Sequence, residues 1–257
     1  MGQYCNDIHA GWKSQLGGAE LEIDDSEEIK KARSQAKDYD GFLALGKALS
    51  WEFRYREAAE AYDRALKLKP DDLNALRLKA GRHLSTLRYV QAEEELKHCL
   101  ELGGDELDIR YRLGLCSFFM RNYDEALNQF SLCMPLCGDE MGIAAMYWHT
   151  LSAYRSKTAP VLLKEYRPGM DVGHHTAYEK AMALCAGFCS AESLEERIQN
   201  EPDDMEHAIM AYGLSEYYHA RGDESKTRTL ADSVLKRDGF WPCFAWLAAK
   251  NDEMNRA

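Results

Sequence analysis

Between Tyr39 and Glu140 the chain repeats itself every 34 residues, and no other feature limits its fold as tightly. Tyr55, Tyr89 and Tyr123 mark the step (89 − 55 = 34; 123 − 89 = 34). Four further columns keep it: Gly46, Ala80 and Gly114; Ala58, Ala92 and Ala126; Tyr62, Leu96 and Phe130; Ala65, Cys99 and Cys133. Each unit closes on a helix breaker, Pro70, Gly104 or Gly138. A fixed period of this length is the mark of a stacked helical repeat. Antiparallel helices approach closely only where small residues meet, so the Gly/Ala columns belong at helix crossings and the large columns beside them. The acidic pairs Asp71-Asp72, Asp105-Glu106 and Asp139-Glu140 follow the breakers. There a carboxylate caps the next helix and suits its positive dipole end.

With those columns in place, the units resemble tetratricopeptide repeats, whose pattern is W-x2-L-G-x2-Y, then A-x3-F, then P. The first unit carries Phe42, Leu45, Gly46, Leu49, Ala58, Tyr62, Ala65 and Pro70, and the third carries Leu113, Gly114, Ala126 and Phe130. The second departs at Lys79, where leucine is expected, and the third at Arg110, where a large apolar residue is expected. The resemblance implies an all-α fold, an α-α superhelix (a TPR-like solenoid) with capping helices. The expected organisation is a mobile tail over residues 1–24 and a solenoid over 25–257. Within the solenoid the clear repeats are 39–72, 73–106 and 107–140. Divergent helical pairs fill 141–204, a last repeat spans about 208–241, and a capping helix covers 241–251.

Local signals refine this. Asp25 and Glu28 are spaced as a capping pair for a helix Glu27–Lys37 that presents Ile29, Ala32 and Ala36 to the first repeat. After Gly138 the period slips: Trp148-x-x-Leu151 resembles a fourth first helix, Pro160 interrupts its partner, and Arg167–His175 reads as loop. Thr176–Cys189 reads as a helix with Ala177, Ala181, Leu184, Cys185 and Phe188 on one side. Ser193–Asn200 is a short helix, and Ala211-x-x-Leu214-Ser215-x-x-Tyr218 returns to the repeat template, with Arg221-Gly222-Asp223 as its turn. The last helix, Phe240–Asn251, turns Trp241, Phe244, Trp246 and Leu247 inward and leaves Lys250, Asn251, Asp252 and Glu253 to water.

A net charge of −11 argues against a nucleic-acid backbone as the main partner. No run approaches the roughly 20 apolar residues of a membrane span. The N-terminus lacks a basic region followed by an apolar stretch, so the expected compartment is the cytoplasm and the expected state of the thiols is reduced. No G-x-S-x-G elbow, H-E-x-x-H or phosphate loop is present, so no catalytic residue and no cofactor is expected. Cys133-x3-Cys137 and Cys185-x3-Cys189 have i, i+4 spacing, with His174-His175 nearby. Cys133 belongs to a packing column and Cys185 to an apolar face, so the expectation is free thiols and no metal.

The resemblance also implies a concave groove lined by the first helix of each unit, where protein or peptide partners lie. Counted on the family pattern, the groove residues are Leu43, Lys47, Trp51, Arg77, Tyr111, Arg112, Phe118 and Phe119. Aromatic and arginine anchors are what binding hot spots favour, and the cations suit an acidic ligand. The clamp with which related cochaperones hold two carboxylates is not expected. Its positions read Leu43, Lys47, Gly81, Asp108 and Arg112, and only Arg112 agrees. The function expected is a non-catalytic scaffold or adaptor that binds protein or peptide. Two other readings stand beside it: a peptide-sensing regulator or secretion-type chaperone, and a metal-binding or enzyme-associated role for the insert 160–189.

Overall fold

Helix starts follow the repeat step. The computed structural model describes residues 11–17 and 23–256, and among these every regular element is helical. The chain divides into two compact units, residues 1–112 and 113–257.

The first unit holds α1 (Gly11–Gln15), α2 (Glu27–Gln35), α3 (Tyr39–Trp51), α4 (Tyr55–Leu68), α5 (Leu73–Ser85) and α6 (Tyr89–Glu101), with the start of α7 (Glu106–Phe119). Acidic caps open the first helices as expected. Gly41 N donates to Asp38 Oδ1 at 2.9 Å, Ala75 N to Asp72 Oδ1 at 2.9 Å and Leu107 N to Asp105 Oδ1 at 3.1 Å. The corner from first to second helix recurs with one geometry. Phe53 and Leu87 take φ of 59° and 57°. The next residue then donates back across the helix end, Arg54 N to Leu49 O at 2.9 Å and Arg88 N to His83 O at 2.8 Å. This is the left-handed cap usually built on glycine.

The small columns do lie at the crossings. A Cβ added to Gly46 would stand 2.3 Å from Tyr62 Cε1, so the ring occupies the space that glycine leaves. In the next repeat the same columns read Ala80 and Leu96, both fully buried. The larger crossing residue accompanies the smaller partner, which conserves volume. α2 covers this core with Ile29 and Ala32 as expected, and Ala36 packs on it from the C-cap, the helix ending at Gln35 where Lys37 is expected. Its cap differs: Ile29 N donates to Ser26 Oγ, and Asp25 is engaged elsewhere. Arg33 and Arg54 each reach an Asp25 oxygen at 2.6 Å, Arg54 also holds Glu57 at 2.7 Å, and so the corner and α4 are tied to α2. The hydrogen bond from Arg33, with help from Arg54, holds the Asp25 carboxyl below the usual carboxylate range. Part of the stretch expected as a mobile tail is helical. α1 reaches the start of α4, where Arg56 N donates to Gln15 Oε1 at 2.9 Å.

The second unit holds the end of α7, then α8 (Tyr123–Cys133), α9 (Asp139–Ser156), α10 (Thr176–Cys185), α11 (Ala191–Asn200), α12 (Asp204–His219), α13 (Glu224–Lys236) and α14 (Phe244–Met254). The third repeat keeps the pattern: a Cβ on Gly114 would lie 2.6 Å from Phe130 Cε1, and Arg121 takes φ 61°. α9 is the central helix. No charged residue falls between Met141 and Tyr154, and Gly142 through Ala153 are all buried. A helix apolar on every side has to be surrounded, and α8, α10 and α12 surround this one. α9 ends on the same corner, at Lys157 with φ 57°, two residues past the step (121 + 34 = 155). A second helix does not follow; Pro160 and a short 3-10 turn, Val161–Glu165, stand in its place. α12 crosses α9 through Gly213, where a Cβ would be 2.8 Å from Tyr147 Cε2, and the Tyr147 hydroxyl donates to Ile209 O at 2.8 Å.

Three expectations fail here, the first in the last helix, which runs from Phe244 to Met254 where Phe240–Asn251 is expected. α10 stops at Cys185 because Gly187 (φ 82°) closes it, which leaves Phe188 exposed. α14 turns Asn251 and Asp252 inward. Asn251 Nδ2 donates to Phe119 O at 2.9 Å, and Asp252 accepts from Arg155 Nη2 at 2.5 Å and from the Tyr212 hydroxyl at 3.0 Å. Arg155 also holds both oxygens of buried Glu216 at 2.5 Å. Burial works against the Arg155 charge, and the two carboxylates outweigh it, so its pKa lies above that of an ordinary arginine. One guanidinium thus fastens α9, α12 and α14.

Two outcomes follow. Gly46→Ala should cost about 1–3 kcal/mol by overpacking. Combining it with Tyr62→Leu, which reproduces the Ala80/Leu96 pair, should recover at least about 0.5 kcal/mol against the sum of the single changes in urea unfolding; strict additivity would place the crossing elsewhere. Arg155→Met should cost about 3–5 kcal/mol at neutral pH, because two buried carboxylates lose their counter-charge.

Candidate functional site

Leu43, Lys47 and Trp51 lie four residues apart on α3 and therefore share one helix face. Leu43 packs partly on the core, Lys47 is exposed and makes no ion pair among the described residues, and Trp51 is 84% exposed. The tryptophan occupies the last helical position before the corner, and Phe53 turns the chain away just beyond it.

Arg77 on α5 and Arg112 on α7 converge on one carboxylate. Asp108 lies 3.6 Å from Arg77 Nη1 and 2.8 Å from Arg112 Nε. Arg112 also lies across Gly81, where a Cβ would stand 2.7 Å from its Nη1. The two arginines are thus part of a local ion network, with Asp108 between them. Tyr111 beside them is buried. Arg82 escaped the family count and is a further cation of this unit. Its guanidinium sits 4.2 Å from the Tyr55 ring centroid. Burial and the nearby Arg112 lower its pKa, against the opposing pull of Tyr55 and Tyr62.

Phe118 and Phe119 are a correction. The family pattern counts them as groove residues, yet they are 4% and 1% exposed and pack edge-on against Trp148, at 5.1 and 6.4 Å between centroids. Trp148 comes from α9, outside the regular repeats. The two phenylalanines belong to the core of the second unit, where Tyr147, Tyr178 and Tyr212 extend the same ring cluster.

No group of three or more His, Cys, Asp or Glu side chains converges to hold a metal among the described residues. Cys185 faces the Tyr154 hydroxyl, and burial pushes its thiol up to about 11. A cleft of about 750 Å³ lies in the second unit, lined by Tyr154, Lys157, His219, Arg221 and Glu224. In its lining His219 meets Glu224 at 3.2 Å, and Arg221 stacks 3.3 Å from the Tyr217 ring centroid. Among the described residues no helix is long and apolar enough to cross a membrane.

The helical pairs resemble tetratricopeptide repeats in their period and in their close helix crossings. The family described as "Anaphase-promoting complex, cyclosome, subunit 3" matches residues 51–132, under a third of the chain (132 − 51 + 1 = 82 of 257). The "Hsp70-Hsp90 organizing protein 3" of Arabidopsis thaliana is 26% identical over 113 residues, covering 42% of this chain. The chain spans about a fifth of that protein's length, 20%. YrrB, whose structure is described as "a TPR protein with an unusual peptide-binding site", superposes with a TM-score of 0.46 at 16% identity, over 88% of this chain and 98% of its own.

Exposure separates the candidates experimentally. Trp51→Ala should change unfolding stability by no more than about 0.5 kcal/mol, as a surface substitution does. Phe119→Ala should cost about 3–5 kcal/mol as a core truncation. Urea denaturation of the two variants checks both.

Proposed function

We propose, for a chain built of tetratricopeptide repeats, that it is a non-catalytic module which binds a protein or peptide along the first-helix face of its first unit. The observation that carries the reading is Trp51, almost wholly exposed and in line with Lys47 and Leu43. A tryptophan offers about 150–250 Å² of contact, roughly 4–6 kcal/mol of gross burial before the costs of association. Aromatic anchors of this kind dominate binding energetics.

The charges shape the partner. Among the described residues Lys47 has no counter-ion, whereas Arg77 and Arg112 share Asp108. The ligand that fits is a segment with an apolar anchor for Trp51 and an acidic group within reach of Lys47. A heat-shock partner of the kind named for the plant relative is disfavoured. Leu43, Lys47, Gly81 and Asp108 stand at positions where a two-carboxylate clamp needs other side chains.

A displayed peptide library tests the reading. Peptides selected on the full-length protein should carry an aromatic or aliphatic anchor near an acidic residue. They should lose at least tenfold in affinity for Trp51→Ala, and a smaller factor for Lys47→Glu. Peptides that bind Trp51→Ala as well as they bind the native chain would remove α3 from the site.

A further inference from the structure

Of the two C-x3-C pairs in the sequence, the fold brings one into sulfur contact. Cys133 is the last residue of α8, and Cys137 follows the short turn Met134–Leu136, one residue before Gly138, the N-cap of α9. Their Sγ atoms are 3.6 Å apart, and Cys137 Sγ also donates to Cys133 O at 3.3 Å. Cys133 is fully buried, and Cys137 is half-buried. The second pair is arranged differently. Gly187 ends α10 between Cys185 and Cys189, and the Cys185 thiol meets Tyr154. Burial raises the pKa of Cys99, Cys185, Cys189 and Cys243, whereas the hydrogen bond from Cys133 lowers that of Cys137.

We propose that Cys133 and Cys137 form a covalent modification site for small disulfides, with Cys137 as the attacking thiol and Cys133 as the resolving one. The Cys137 thiolate attacks one sulfur of a low-molecular-weight disulfide such as oxidised glutathione. The S–S bond of the reagent breaks, one glutathione leaves as thiolate, and a mixed disulfide remains on Cys137. Cys133 then gives up its proton and attacks Cys137 Sγ, which expels the second glutathione and closes an intrachain disulfide. Two electrons pass from the dithiol to the reagent, and the two protons end on the released thiols. The chemistry needs two thiols in contact, one of them partly exposed, and this corner supplies both. Closure asks the sulfurs to approach to about 2.05 Å, and the short turn between the two cysteines is the segment that must adjust. The bond then joins the end of α8 to the residue before the α9 cap. The proposal is independent of the peptide-binding reading.

The test is incubation of the reduced full-length protein with oxidised glutathione at neutral pH, followed by intact mass and peptide mapping. The native chain should lose two hydrogens at this pair, keep no glutathionyl group there, and recover both thiols with dithiothreitol. Cys133→Ala places in the column the residue that Ala65 supplies in the first repeat, so it should stay folded. It should retain one glutathionyl group on Cys137. Cys137→Ser should show neither product between positions 133 and 137. A Cys137 that stays free in both the native chain and Cys133→Ala would overturn the proposal. So would a native chain that keeps glutathione on Cys137, because Cys133 would then be unable to resolve it.

Discussion

Close approach of two helix backbones at a glycine, with a ring lying in the gap, is the constraint from which the other features follow. It appears three times: Gly46 with Tyr62, Gly114 with Phe130 and Gly213 with Tyr147. A side chain at any of these glycines would force a packed ring to move, and protein interiors have no free volume to receive it. The second repeat solves the same problem with Ala80 and Leu96, both buried. A ring needs glycine opposite it, and a leucine leaves room for one methyl group. The crossing fixes how near the helices lie, and that distance decides which later positions are interior.

The corner is the second recurring device, and it carries a cost. Phe53, Leu87, Arg121 and Lys157 all adopt left-handed backbone without being glycine. That conformation is disfavoured by roughly 1–2 kcal/mol for a residue with a Cβ. The compensation is local: the two N–H groups at each corner satisfy carbonyls that the helix end would otherwise leave bare. The geometry persists at Lys157, although the second helix of that pair is missing, and at Gly222 before α13. The corner thus survives where the apolar columns have faded, because it depends on backbone hydrogen bonds and makes few demands on side-chain identity.

The repeat step was legible because each column answers to a neighbour within the same or the next unit. Helix starts at Tyr39, Leu73, Tyr55, Tyr89 and Tyr123 follow from it directly. What was not legible depends on distant partners. Asn251 and Asp252 look like the wet side of a terminal helix, yet Asp252 is held by Arg155, 97 residues earlier, and Asn251 by a carbonyl 132 residues earlier. Phe118 and Phe119 sit at positions that in a regular array face a groove, and they are covered by Trp148 from the helix where the period slips. Of the residues counted for the groove, Trp51 is the hydrophobic one whose side chain is most exposed among the described residues. The left-handed corners were also missed: glycine is the usual signal for them, and Phe53, Leu87 and Arg121 give none.

Asp108 bears on how any ligand of the first-helix face would be held. Its pairs with Arg77 and Arg112 are half-exposed, and ion pairs of that kind contribute about 0–1 kcal/mol each. An acidic ligand group that engages Arg112 therefore exchanges one weak pair for another and gains only the difference. For such a ligand the network would filter by sign, because a basic group gains nothing from Asp108 that the arginines do not already supply. Lys47 stands outside this exchange, but it is exposed, and its attraction is screened within about 8 Å at physiological ionic strength. Electrostatics on this face consequently set orientation and encounter more than affinity. The energy has to come from apolar contact, and the side chain with most area left to bury is Trp51. Binding there would vary little with salt and steeply with the size of the residue at position 51.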